Sequence, residues 1–156
     1  MANAQRLLAL ADFIERDTKN QFDMGTLYTP REGFCGGAAC IAGHGAILWP
    51  EFLETSSRRF IWNEKSFQTF NVHTQALADH LGMTELEEKL LFFPGDEISM
   101  DHYSAVVTWE NGLVILSDDC EPESIRYSEI TRAGAVATLR RFAATGEIVW
   151  KKEEQI

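Results

Sequence analysis

Residues 38 to 49, AACIAGHGAILW, are small or apolar on nearly every side. A helix of that composition has no face to offer to water, so it must be enclosed by other elements. The abundance of Ala and Gly lets those neighbours approach closely. Pro50 is expected to end it, because the proline ring drives the preceding residue out of the helical region. The chain must therefore be built around this segment. At 156 residues and 45% apolar content, it is long enough to close such a core as one domain without staples. Residues 1–150 are expected to form a single globular domain, with 151–156, KKEEQI, as a solvated tail.

The flanking elements are amphipathic. Leu7, Leu10, Ala11 and Ile14 repeat at helical spacing, Leu8 and Phe13 widen that stripe, and Gln5, Arg6, Asp12, Glu15 and Arg16 take the other side. The polar, Gly- and Pro-containing stretch DTKNQFDMGTLYTPREG reads as a long loop that delivers Cys35. Residues 51–73 hold Phe60, Ile61, Trp62, Phe67 and Phe70 without a clean period and are read as irregular. Thr74 is expected to cap a short helix carrying Leu77, Ala78 and Leu81, which Gly82 stops. Thr84 and Glu87 then form a capping box for the next helix, supported by a Glu85–Lys89 pair and ended by Pro94-Gly95.

Between His102 and Leu116 the periodicity changes to alternation, and Glu110-Asn111-Gly112 supplies a tight turn, which together predict a β-hairpin. A last helix opens at Ser128 or Thr131. Ile130, Ala133, Val136, Ala137 and Leu139 face inward, Arg132, Arg140 and Arg141 lie near its margin, and Gly146 closes it. Glu147 to Trp150 can add a short strand. The expected fold class is thus α+β, a mainly helical single domain of about five helices with one small antiparallel β-hairpin.

Charge and cysteine content narrow the function classes. A formal charge of −10 argues against nucleic-acid binding, which draws its free energy from cationic groups that displace counterions. It suits either a soluble surface or a basic protein patch as partner. Three cysteines are too few and too odd a number for a disulfide framework, and the opening MANAQRLLALADFIERD places acids where a signal peptide needs an apolar run. No stretch approaches the roughly 18 apolar residues of a membrane span. The expected location is cytoplasmic, with no membrane partner.

Chemistry concentrates in CGGAACIAGH, residues 35–44. With a helix beginning near Ala38, Cys40 and His44 stand one turn apart and Cys35 sits just before the helix, where unsatisfied N–H groups favour a thiolate. Three readings follow. Cys40 and His44 can be core residues, packed as a small hydrophobe and a satisfied imidazole. Cys35, Cys40 and His44 can be three zinc ligands, with Cys120, His73 or His80 as the fourth, although the spacing departs from paired-cysteine patterns. Or Cys35 can be a nucleophile, with His102 as base and Asp118, or Asp119, as the orienting acid. A Cys35–Cys40 disulfide is sterically open too, but a cytosolic setting keeps it reduced.

The order Cys35-Gly36-x-Ala38, His102-Tyr103 and Asp118 resembles papain-like peptidases that process bacteriocin leader peptides. That resemblance implies a thiol hydrolase of peptides or amides. Those enzymes carry a glutamine shortly before the cysteine to hold the oxyanion, and PREGF supplies none.

A second resemblance spans more of the chain. RLLALADFIE, FDMGTLY, CGGAACIAGHGA, LADHLGM followed by LLFFP, and AVATLRRFAATGEIVW look like a family of small uncharacterised proteins of phages, prophages and bacteria. Its motif is Cys-Gly-Thr-x-x-Cys-x-x-Gly followed by His or Trp. Cys35, Gly36, Cys40, Gly43 and His44 match; Gly37 departs from the usual Thr. Trp in place of His44 in relatives implies packing rather than chemistry at that position. The resemblance carries no activity, and it implies a small accessory protein acting through contact with a protein partner.

Overall fold

In the computed structural model, the first helix follows the expected stripe. Residues 1–25, 28–29, 38–49, 67–96, 98–100, 103–109, 112–115 and 125–156 are the described residues. Helix α1 (Ala4–Arg16) buries Leu7, Leu10, Ala11 and Ile14 completely. Asn3 caps it by accepting the Arg6 N–H at 3.1 Å, which satisfies one of the orphan donors of the first turn. Leu8, expected to widen the stripe, is instead 42% exposed. It stands one turn before Asp12 on the polar side of the helix, while α1 packs most extensively against the last helix of the chain.

The stretch expected as a loop contributes two very short strands, β1 (Gln21–Phe22) and β2 (Tyr28–Thr29). Both pair with β3 (Ala38–Ala39), which lies between them, parallel to β1 and antiparallel to β2. This pairing corrects the start of the central helix. Ala38 and Ala39 are extended because their backbone groups are used in the sheet, so α2 begins at Ile41 and ends at Leu48. Every residue from Ile41 to Ala46 is buried. A methyl group on Gly45 would lie 2.6 Å from Leu77 Cδ2, so the absence of a side chain there sets how closely the next helix can approach.

That next helix, α3 (Phe67–Leu81), starts seven residues before the expected Thr74. It ends at Gly82, whose φ of +69° is the left-handed conformation expected of a helix stop. The chain's first residues lie over this stop, with Asn3 N–H donating to Leu81 O at 2.7 Å. Helix α4 (Glu85–Phe92) has the full Thr84/Glu87 capping box, and Lys89 Nζ lies 3.1 Å from Glu85.

The predicted hairpin is present as β5 (Tyr103–Thr108) and β6 (Gly112–Ile115), paired antiparallel with Val106 opposite Val114. A third strand, β4 (Ile98–Met100), pairs antiparallel along the other edge of β5. Helix α5 (Arg132–Thr145) is capped by Thr131 and closed by Gly146 at φ +75°. Of its expected inward residues, Ile130, Val136 and Leu139 are buried, whereas Ala133 is exposed. The residues after Gly146 form no strand. Ile148 and Trp150 are buried instead, and the Trp150 indole N–H donates to Leu90 O at 2.9 Å, tying the chain end to α4. Past Trp150, Lys152, Glu153 and Ile156 are exposed, but Gln155 bonds back to Thr131 at 2.8 Å, so the segment read as a solvated tail is tethered.

Five helices and two small sheets are present among the described residues, a mainly helical α+β fold. One apolar cluster runs from α1 through α2, α3 and α4 to α5 and Trp150. No helix among the described residues is long and apolar enough to cross a membrane.

Candidate functional site

Because Ala38 and Ala39 are extended, Cys40 is the N-cap of α2 rather than a residue of its interior. Its Sγ accepts the Gly43 N–H at 3.4 Å, doing for this helix what a serine hydroxyl does for others. Cys40 is therefore the thiol that stands at a helix N-terminus, the position that ordinarily favours a thiolate. Burial decides otherwise. It pushes the thiol up to about 11, outweighing the N–H groups of Gly43 and Ala42 that act in the opposite direction. A thiol so placed remains protonated at neutral pH and is a poor nucleophile.

One turn on, His44 is completely buried. Its Nδ1 lies 2.8 Å from Cys40 O and its Nε2 lies 3.2 Å from Asp17 Oδ2. Both facing atoms are acceptors, whereas a neutral imidazole carries a single N–H. The single N–H of the neutral ring serves either the Cys40 carbonyl or the Asp17 carboxylate, and only the protonated ring serves both. Burial is the main cause that holds the imidazole below its ordinary range, opposed by the Cys40 carbonyl and the Asp17 carboxylate. Phe13 meets the ring edge-on at 6.0 Å and Phe22 stacks on it at 5.9 Å, so α1 and β1 enclose it.

Asp17 is the C-cap of α1, and its side chain is turned inward with 5% exposure. Burial raises its carboxyl, but the Asn20 side chain and the N–H groups of Lys19 and Asn20 outweigh this and leave it below the usual carboxylate range. Those donors are 2.8 to 3.3 Å away. The same turn is clamped from behind. Arg132, expected at the margin of the last helix, lays its guanidinium across the end of α1, donating to the carbonyls of Ile14, Asp17 and Asn20. A cation at a helix C-terminus also opposes the negative end of the macrodipole. Asp17, Asn20, His44 and Arg132 thus join α1, α2 and α5 at one buried point.

No family model, no curated protein and no solved structure matches this chain.

The structure brings together only part of the sequence-based candidate set. Cys40 and His44 meet, but through the Cys40 carbonyl, while the sulfur faces the Gly43 N–H. Cys35, His102 and Asp118, the residues of the hydrolase reading, lie outside the described residues, as do Asp119 and Cys120. His73 belongs to α3 but its side chain is outside the described set. His80 is half-buried against Trp49, with ring centroids 4.7 Å apart. Among the described residues, no three His, Cys, Asp or Glu side chains gather as a metal-binding group. The Asp17 contact with His44 and the Arg132 clamp behind Asp17 differ in how far the sequence announces them. The Asp-x-x-Asn spacing of a local turn was available in DTKN, but nothing local ties Arg132 to carbonyls more than a hundred residues earlier.

Proposed function

We propose that the chain is a small accessory protein of phage or prophage type that acts by contact with a protein partner rather than by thiol chemistry. One observation carries this reading: the described part of CGGAACIAGH, residues 38–44, is used up inside the fold. The Cys40 sulfur caps α2, its thiol is buried and held protonated, and the His44 ring is enclosed between two aromatic side chains and two acceptors. Groups committed in this way fix the geometry of a scaffold and have no open face toward a substrate. An acidic chain with such a centre is suited to presenting a stable surface to a partner carrying basic patches.

The test pairs two measurements. Peptide and amide turnover is assayed for the wild type and for Cys35→Ala, and binding of candidate basic partner proteins is measured by titration calorimetry with purified components. The reading expects no turnover that depends on Cys35 and a stoichiometric complex weakened by added salt. Turnover abolished by Cys35→Ala, with no saturable protein complex, would establish the hydrolase instead.

A further inference from the structure

We infer that His44 and Arg132 oppose each other through Asp17 as a proton-operated latch: a proton taken up by the buried ring loosens the Arg132 clamp that ties the end of α1 to α5. The ring is placed to receive that proton. Its Nδ1 lies 2.8 Å from Cys40 O and its Nε2 lies 3.2 Å from Asp17 Oδ2, so both nitrogens face acceptors and a neutral ring leaves one of them without a donor. An imidazolium donates to both without any rearrangement of the two acceptors. Residue 17 is also where the clamp lands. Arg132 donates to the Asp17 carbonyl at 2.7 Å, and to the carbonyls of Ile14 and Asn20 before and after it in the chain.

Among the described residues, the charged and titratable groups around the ring act in both directions. From the end of α1 the Asp17 carboxylate favours the proton, and from α5 the Arg132 guanidinium opposes it. The head of α2 contributes the Cys40 carbonyl, which favours it, and a thiol that burial keeps neutral. Phe13 of α1 and Phe22 of β1 enclose the ring without adding charge. Burial is the largest opposing influence, but it is fixed, whereas a side chain can move. Coupling between two sites is reciprocal: a cation that weakens proton binding is weakened in its own seat by the same free energy once the proton is bound. Arg132 has a way out. It is half-buried and lines a surface groove of about 460 Å3 together with Glu15, Val136 and Arg140, so its guanidinium reaches solvent while α1 and α5 stay folded. Asp17 keeps its place, held by the Asn20 side chain and the N–H groups of Lys19 and Asn20.

The test is NMR of the full chain from about pH 7 down to about pH 4.5, following the His44 ring and the Arg132 guanidinium together. In the wild type, exchange of the Arg132 guanidinium protons, corrected for its intrinsic pH dependence, should accelerate about tenfold through the midpoint at which the ring titrates. His44→Gln should leave those protons slow over the same range. Arg132→Gln should raise the His44 midpoint, because the opposing cation is gone, and Asp17→Asn should lower it. Should a variant fail to fold, the wild-type co-titration alone decides. A ring that titrates while the Arg132 protons keep their rate would overturn the proposal. So would a ring that takes no proton before the whole chain unfolds, an Arg132 that loosens equally in His44→Gln, or a folded Arg132→Gln with an unchanged His44 midpoint.

Discussion

The imidazole of His44 and the carboxylate of Asp17 face each other at 3.2 Å with almost no solvent at either, the one on α2 and the other at the end of α1. Neither group is free to leave, since His44 also bonds the Cys40 carbonyl and Asp17 takes three further donors. Removing the ring by His44→Ala opens a cavity between Phe13 and Phe22 and leaves a buried acceptor unpaired. The expected loss is about 3 kcal/mol in denaturant unfolding. A loss within experimental error would mean the ring is not packed as described.

The same pair sets an acid response. Burial keeps the folded imidazole below its ordinary value, near 6.5. In that window the unfolded chain binds a proton that the folded chain does not. Stability is therefore full above about pH 6.5 and declines as the pH falls through the folded value. Asp17 adds a separate loss at lower pH, because its folded carboxyl is below the unfolded one. Urea titrations at a series of pH values should show both declines in the wild type. His44→Gln should flatten the upper one and spare the lower. An unchanged upper decline would assign it to another group.

Arg132 and Arg140 leave α5 toward the same helix but do different work. Arg132 gives its fork to three carbonyls at the end of α1, whereas Arg140 pairs with exposed Asp12 and Glu15 carboxylates at the surface. A lysine cannot reproduce the fork, so Arg132→Lys is expected to cost about 1 to 2 kcal/mol. Arg140→Lys should cost far less, and its effect should fade with salt. Equal losses in thermal and urea unfolding would contradict the clamp.

Gly45 sets the distance between α2 and α3. Gly45→Ala places a methyl 2.6 Å from Leu77 Cδ2, so the fully buried Leu77 side chain must shift within the core. The expected cost is about 1 to 3 kcal/mol. Combined with Leu77→Ala, the loss should be less than the sum of the two single losses, because the second change removes the clash that the first creates. Additive losses would place the clash elsewhere.

What could be read from the sequence was local. The Leu7, Leu10, Ala11 and Ile14 stripe, the Thr84/Glu87 capping box and the stops at Gly82 and Gly146 each depend on neighbours within a turn or two, and each is found where expected. The start of α2 was not legible, because Ala38 and Ala39 are excellent helix formers. They become a strand only through pairing with Gln21–Phe22 and Tyr28–Thr29. The first two turns of α3 carry no clean period, so their helical state is not legible from local pattern. At the site, the burial of Cys40 and His44 followed from the small residues around them, but the grouping of Asp17, His44 and Arg132 is a product of the tertiary fold. Cys35, His102 and Asp118 stay outside the described residues.

The thiol at the head of α2 is an interior cap, buried and bonded to the Gly43 N–H. The most direct measurement is residue-resolved alkylation of native protein by mass spectrometry, from about pH 6 to pH 9 with increasing urea. Cys40, with its thiol pushed up to about 11, is expected to stay unlabelled across that range until the fold opens, and then to label with the unfolding transition. Rapid labelling of Cys40 in the absence of urea, rising with an ordinary or depressed thiol pKa, would contradict it.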